Sequence, residues 1–308
     1  MRHTPFIVLL ACATLVAACR KEETPGPDPV PTPSSSGPRL IMKFRFDSTQ
    51  VRLNNLGQPS TVPAGRAAQS PRFNRMSAHY VEFAPSAWTP LSGGEVVYHA
   101  PETTAGGATA IDFSQSVLAG DGQVFLDLPL SVLDSGSYSW LRVSLAYQNY
   151  DIAFRYTDTQ FGTGTYDLEG TVASFIGYNT YIGTFAVNQQ SVTVNDDRPQ
   201  GFWAFEVIDP LIPTAPLTGQ APAGATTVPN PLFATSEIPP GSCVVTGAFA
   251  QPLVITGDET EDVVITVSLS TNDSFEWIDN GDGRYEPGPP ANDLVVDMGI
   301  RGLIPIVE

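Results

Sequence analysis

The stretch LIMKFRFD at residues 40–47 decides the fold class. Apolar side chains recur there at every second position, with charged residues between most of them; the apolar positions are Leu40, Met42, Phe44 and Phe46. Successive side chains of a β-strand point to opposite faces of a sheet. This period of two therefore predicts a strand with one buried face.

The same alternation recurs along the chain. It returns over residues 124–130 and again over residues 141–147, after the turn sequence Asp134-Ser135-Gly136. No segment after residue 18 shows a sustained helical period with capping residues. Many short strands between Gly, Pro, Asn and Asp clusters predict an all-β protein, an antiparallel β-sandwich. Further strands are predicted at residues 76–84, 95–99, 152–156, 166–175, 181–194, 202–207, 244–249 and 263–269.

Composition agrees with this fold and limits the function. The 308 residues include 27 glycines and 28 prolines, and only 15% are charged, which suits many strands joined by turns. The formal net charge of −17 at pH 7 argues against nucleic acid as a partner, because phosphates require basic patches.

The first residues resemble an export signal. A short basic start precedes an apolar run over residues 6–15, which is shorter than the roughly 20 residues of a membrane-spanning helix. Val16-Ala17-Ala18-Cys19 is similar to the bacterial lipobox, in which the thiol is acylated before cleavage. We expect residues 1–18 to be a lipoprotein signal peptide and acylated Cys19 to hold the chain on a lipid bilayer. The alternative is an ordinary secretory signal with a cysteine by chance.

Residues 19–39 predict a tether and a signal for the location of the protein in the cell envelope. Arg20-Lys21-Glu22-Glu23 resembles the short signal that sends some Gram-negative lipoproteins to the outside of the outer membrane. Prolines, serines and a glycine dominate residues 24–38, and such segments favour extended polyproline II geometry at about 3.1 Å per residue. We expect a folded part that stands away from its outer-membrane anchor at the cell surface; the periplasmic leaflet is the alternative.

The folded part is predicted to be one sandwich over residues 40–270, with two irregular segments. Residues 209–241 are rich in Pro, Ala, Thr and Gly and predict a long surface insertion. The strands at residues 244–269 then return to complete the same sandwich. Residues 271–308 predict an irregular C-terminal extension with a candidate cation-binding loop.

Catalytic chemistry has little support in the sequence. After the signal, His79 and His99 are the only neutral-pH bases, and no serine lies in a Gly-x-Ser-x-Gly motif. Cys243, the one cysteine after Cys19, is flanked by valines and is expected in the core. We therefore expect a non-catalytic protein.

The two histidines are candidate ligands for a soft or borderline metal ion. His79 is predicted to share a strand face with Val81 and Phe83. If the strands that carry His79 and His99 are neighbours, the imidazoles approach each other, with Met76 or a tryptophan nearby. The alternative is a hydrogen-bonded histidine packed at the edge of the core.

The order of these strands resembles the MbnP-like family of copper-binding β-sandwich proteins. The likeness covers roughly residues 40–150 and the strand at 263–269, and hydrophobic spacings carry it. It implies a one-domain sandwich in an exported protein, and a copper ion held by His99 and His79. The later histidine followed by glycine that the family often shows is missing here. The segments concerned are residues 40–46, 76–83, 98–99, 111–113, 128–129, 136–138 and 141–143.

A second candidate metal site lies in the sequence DNGDGRYEP at residues 279–287. Oxygen-bearing side chains surround glycines that permit a tight turn, as a hard cation such as Ca²⁺ requires. The predicted ligands are Asp279, Asp282 and Glu286, with Asp293 also placed to close the shell. The alternative is a plain Asn-Gly and Asp-Gly turn.

Two classes of function remain. The first is a membrane-anchored, non-catalytic binding or adhesion module that displays its loops to a protein or glycan ligand at the cell envelope. The second is a copper-binding lipoprotein of the MbnP-like type. The tether, the predicted anchor and the poverty of catalytic groups favour the first, and the two histidines favour the second.

The anchor is tested by replacing Cys19 with Ala. Because acylation requires the thiol, we expect the variant to take up no labelled fatty acid and to be released as soluble protein. Cys12→Ala, inside the apolar run, is the matched control and should be labelled normally. Labelling that persists in Cys19→Ala would remove the anchor assignment.

Overall fold

The computed structural model describes residues 37–308 except residues 159–161, 163, 209–214 and 222–242. The predicted signal peptide, Cys19 and nearly all of the tether lie outside the described residues, as does most of the predicted insertion. Residues 37–308 form one compact unit, and its regular secondary structure is nearly all β-strand. Across the described residues, no helix has the length and apolar character needed to cross a membrane.

A seven-stranded sheet forms the centre of the molecule. Its strands run in the order β13-β12-β9-β8-β3-β4, and β14 also pairs with β8. The ranges are β3 (Arg72–Ala84), β4 (Glu95–His99), β8 (Gly136–Asp158), β9 (Gly164–Phe175), β12 (Phe202–Val207), β13 (Leu217–Gln220) and β14 (Cys243–Ile255).

The 23-residue strand β8 joins the parts of this sheet. One of its edges pairs with β3 from Trp140 to Asp151. Its other edge pairs first with β14, up to Leu145, and then with β9, from Tyr147 onward. At the change of partner, the carbonyl of Ala146 accepts hydrogen bonds from the backbone N–H groups of Ile176 (2.8 Å) and Gly177 (3.0 Å).

A four-stranded sheet packs against the central sheet and closes the sandwich. Its order is β18-β15-β1-β7, with β1 (Arg39–Asp47), β7 (Val124–Pro129), β15 (Val263–Ser270) and β18 (Leu303–Val307). Strand β1 runs parallel to β15, and the other pairs in this sheet are antiparallel. Phe44 of β1 is buried and stacks on Phe125 of β7 with ring centroids 3.9 Å apart. The alternation read at residues 40–47 therefore does direct one apolar face into the main core.

Two smaller sheets flank the sandwich. One has the order β11-β10-β6-β5 and the other β17-β16-β2. The first covers a second apolar cluster around Phe113, Phe175 and Phe185. The ranges are β2 (Arg66–Gln69), β5 (Glu102–Thr103), β6 (Ala110–Asp112), β10 (Asn179–Ala186), β11 (Ser191–Pro199), β16 (Phe275–Ile278) and β17 (Leu294–Met298).

The all-β, largely antiparallel fold predicted from the sequence is confirmed. The segmentation differs in several places. Residues 141–147 and 152–156 belong to the single strand β8, residues 181–194 divide into the hairpin β10–β11, and part of the predicted insertion is strand β13. Strands β2, β5 and β6 were not predicted, and β14 continues past residue 249 to Ile255. A repeating apolar pattern locates strands, but it does not show whether two patterned stretches are continuous.

The C-terminal segment is not the irregular extension that its sequence predicts. It contributes β16, β17 and β18, and β18 pairs with β15 in the sandwich. Leu303 packs so closely on Gly247 that a Cβ atom there would lie 2.3 Å from the Leu303 carbonyl oxygen. The prediction was wrong because Gly, Pro and Asp interrupt the apolar pattern in the loops, while the pairing partners lie far away in sequence.

A buried carboxylate fixes this segment. Glu276 of β16 is 1% exposed and forms ion pairs with Arg52 (2.6 Å), Arg66 (3.0 Å) and Arg301 (3.3 Å). Burial acts to raise the pKa of Glu276, but the hydrogen bond from Arg52 and the neighbouring guanidinium groups outweigh it and lower the pKa. The carboxylate therefore links arginines from separate parts of the chain, and Arg301 also pairs with Asp297 (3.0 Å).

Replacing Glu276 with Gln should destabilise the fold strongly. Removing one partner of a buried charge cluster leaves the others uncompensated, a loss of about 3–5 kcal/mol in the free energy of unfolding. Urea unfolding of the variant measures this loss. Glu261→Gln, at an exposed position, should change the free energy by less than about 0.5 kcal/mol. Equal stability of Glu276→Gln and wild type would contradict the assigned role.

Candidate metal centre

Strand pairing brings the two histidines together. Strands β3 and β4 are antiparallel neighbours, with Tyr80 paired to His99. The backbone N–H of Ala100 donates to the carbonyl of His79 (2.7 Å), which holds the end of β4 against β3. The ring centroids of His79 and His99 lie 4.8 Å apart. The predicted approach of the imidazoles is confirmed.

A β-bulge sets the position of His79. Along β3, Ala78 pairs with Leu145 of β8 and Tyr80 pairs with Ser144, so His79 is an extra residue between two consecutive partners. Bulges re-aim a side chain and interrupt the alternation of faces. The bulge therefore decides where the imidazole points.

Because of this bulge, the imidazole of His79 points away from the main core. Val81 and Phe83 pack in the main core, whereas the ring of His79 contacts the rings of His99 and Tyr178. The predicted alternation, which put His79 on the face of Val81 and Phe83, does not hold here. His79 is nevertheless 2% exposed, so it is buried outside the main core.

Glu102 supplies the third donor. Its Oε1 lies 3.0 Å from Nε2 of His79 and accepts a hydrogen bond from the Tyr178 hydroxyl (2.8 Å). Sequence reasoning missed Glu102 and named Met76 or a tryptophan instead, but Met76 is buried in the main core. The His-x-x-Glu spacing from His99 to Glu102 is a signal that could have pointed to it.

The geometry suits one small divalent ion. The ligand atoms of His79, His99 and Glu102 all lie within 4.8 Å of one another. Ligand atoms around a tetrahedral ion with bonds of about 2.1 Å are about 3.4 Å apart, so the donors must draw closer to hold an ion, and two of them, His99 and Glu102, are exposed. Nδ1 of His79 is buried without a hydrogen-bond partner.

Burial keeps His79 neutral. Desolvation, helped by the nearby His99 and opposed by Glu102, lowers the pKa of His79 to about 4. Metal ions bind the neutral imidazole, so the ring is in its ligating form at neutral pH without having to release a proton.

The predicted calcium ligands are arranged differently. In the part of the chain that the structure describes, His79, His99 and Glu102 are the one group of three or more His, Cys, Asp or Glu side chains placed to hold a metal ion. The carboxylates of the calcium loop turn to backbone N–H groups: Asp279 accepts from Gly283 (3.1 Å), Asp282 from Arg284 (2.9 Å) and Asp293 from Glu286 (2.8 Å). Calcium binding by Asp279, Asp282, Glu286 and Asp293 stays a prediction.

Cys243 is buried, as expected from its valine neighbours. Burial raises the pKa of its thiol to about 12, so it is protonated and unreactive at neutral pH.

No protein-family model matches this chain, and neither a curated protein nor a solved structure matches it.

The burial of His79 predicts a pH-dependent stability. Below pH 6.5 the unfolded chain takes up a proton at His79, but the folded chain does so only near pH 4, so stability is lost as the pH falls between these values. In chelator-treated protein, urea unfolding at pH 7.5 and 5.0 should show wild type losing about 2 kcal/mol more than His79→Gln. Ser191→Ala, which changes an exposed side chain that does not titrate, is the control and should keep the wild-type slope. Equal slopes for wild type and His79→Gln would contradict this account.

Proposed function

We propose that this chain is an exported, non-catalytic lipoprotein that binds one divalent transition-metal ion, copper before zinc, at His79, His99 and Glu102. The observation that carries the proposal is the convergence of three donors from the three strands β3, β4 and β5, one of them a buried neutral imidazole. This site agrees with the copper role that the resemblance to the MbnP-like family implies.

The donor set favours copper(II). Two imidazoles and one carboxylate offer two nitrogens and one oxygen, a set that suits both copper(II) and zinc. Divalent copper binds such sites more tightly than zinc in the general order of metal affinities. Glu102 is oriented by the Tyr178 hydroxyl, and such outer partners tune the affinity of a metal ligand.

The predicted anchor places this activity at the cell envelope. Acylated Cys19 would hold the chain on the outer membrane, and the proline-rich tether would carry the domain away from the lipid. A metal site on an exported tethered domain fits capture or delivery of an ion outside the cytoplasm.

A second candidate function is the binding of a polar ligand such as a glycan. A hollow of about 560 Å³ lies beside β3, β8 and β9, and polar side chains line much of it. Asn74 donates to Asn149 (3.1 Å) and Asp151 (3.0 Å), and Thr171 donates to Asp151 (2.7 Å). Side chains fixed in this way are pre-organised to form hydrogen bonds with the hydroxyl groups of a glycan. A protein that binds no metal would leave this hollow as the stronger candidate.

The metal proposal is tested on the soluble Cys19→Ala protein. We expect it to bind about one equivalent of Cu²⁺ in calorimetry and metal analysis. Further replacement of His79 or His99 by Ala, or of Glu102 by Gln, should each weaken binding by about tenfold or more, because each removes a donor. Glu261→Gln is the control for the loss of one carboxylate.

The opposite outcome is equally clear. If the wild-type site binds neither copper, under oxidising or reducing conditions, nor zinc, both histidines are structural residues. The same conclusion follows if the three ligand variants bind as the control does.

A further inference from the structure

A second cavity is lined by other strands than β3 and β4, which carry the two histidines. It has a volume of about 490 Å³ and is bounded by β9, β12 and β13 of the central sheet and by β16 and β17. None of the metal-centre residues lines it. A volume of this size falls within the roughly 300–1,000 Å³ of sites for small organic ligands.

Aromatic and aliphatic side chains form most of the cavity wall. Trp203 and Phe205 come from β12, Phe275 from β16, and Tyr285 from the loop that follows it. Phe275 and Tyr285 are held edge to face, with ring centroids 5.0 Å apart. The wall therefore presents several fixed aromatic rings rather than mobile chains.

Gly219 allows Trp203 to take its place in this wall. The two residues are direct partners across the β12–β13 pair. A Cβ atom at position 219 would lie 2.4 Å from the indole ring, so only glycine lets the ring lie on the backbone of β13. The indole is half-buried, which leaves part of it open to a ligand.

The charges of the lining have one sign. Asp293 and Asp297 line the cavity, and none of its lining residues is Lys, Arg or His. Asp297 is neutralised by Arg301 at 3.0 Å, whereas the carboxylate of Asp293 accepts the backbone N–H of Glu286. Burial, and to a smaller extent the nearby Asp279 and Asp282, raise the pKa of Asp293 against the hydrogen bond from Glu286, which lowers it.

The rim of the cavity is apolar and exposed. Leu217 and Leu294 both line it, and each is 63% exposed. Apolar side chains in contact with both a cavity and solvent indicate an entrance for an apolar molecule.

We propose that this cavity binds a hydrophobic amine, a small molecule whose aromatic or alicyclic body packs between Trp203 and Phe275 and whose ammonium group pairs with Asp293. The aromatic rings favour a cation as well as an apolar body, since the faces of such rings attract positive charge. An anionic ligand such as a fatty acid would be repelled, because the charged side chains of the lining are all carboxylates. The proposal does not depend on metal binding.

Three probes of one shape and different charge test it: 1-naphthylmethylamine, 1-naphthylmethanol and 1-naphthoate, titrated into the soluble Cys19→Ala protein with chelator present. We expect the amine to bind at least about tenfold more tightly than the alcohol, and the acid most weakly. Calorimetry gives the affinities, and quenching of tryptophan fluorescence reports contact with the indole.

The variant Asp293→Asn tests whether the amine binds beside this carboxylate. This variant keeps an oxygen for the N–H of Glu286, so its melting temperature should stay close to that of wild type. It should lower the affinity for the amine to that for the alcohol and leave the alcohol unchanged. Asp258→Asn, at an exposed position outside the cavity, should change neither. The proposal fails if no probe binds, if the acid binds as well as the amine, or if folded Asp293→Asn binds the amine as wild type does.

Discussion

The change of partner along β8 is the constraint on which the rest of the structure depends. One continuous strand, Gly136–Asp158, pairs with β3 on one edge and with β14 and then β9 on the other. An unpaired buried backbone group is costly, so the carbonyl of Ala146, at the junction, needs a donor. Ile176 and Gly177 both donate to it. This junction fixes the ends of β9 and β14 relative to β3, and thereby the two regions of the molecule that carry its chemistry.

Each region includes one strand that pairs directly with β8. On one edge, β3 carries His79 in a bulge opposite β8, and the bulge turns the imidazole toward His99 and Glu102. On the other edge, β9 and β12 form one wall of the apolar cavity. The proposed metal site is polar and small, and the cavity is apolar and larger. The two need not serve the same ligand, because each has its own donors and walls.

Much of the fold was predictable because the strands alternate clearly. Strands β4 and β12 begin and end where the pattern placed them. The approach of His79 to His99 was predicted only on the condition that their strands are neighbours, and β3 and β4 do pair. Glu102 was missed because it lies in a two-residue strand too short to show any alternation. The C-terminal strands were missed for another reason: Glu276 meets Arg52, Arg66 and Arg301 across long sequence separations, which no local pattern records.

The sequence by itself determined the all-β class, the position of most strands and the buried state of Cys243. It also singled out His79 and His99 as candidate metal ligands. These properties depend on which side chains avoid water, and that information is local. The tertiary structure alone decided the bulge at His79, the third donor at Glu102, the integration of the C-terminal segment and the existence of the apolar cavity. Each of these depends on register and on which strand lies beside which, and the periodicity of a single strand is the same for every partner it could have.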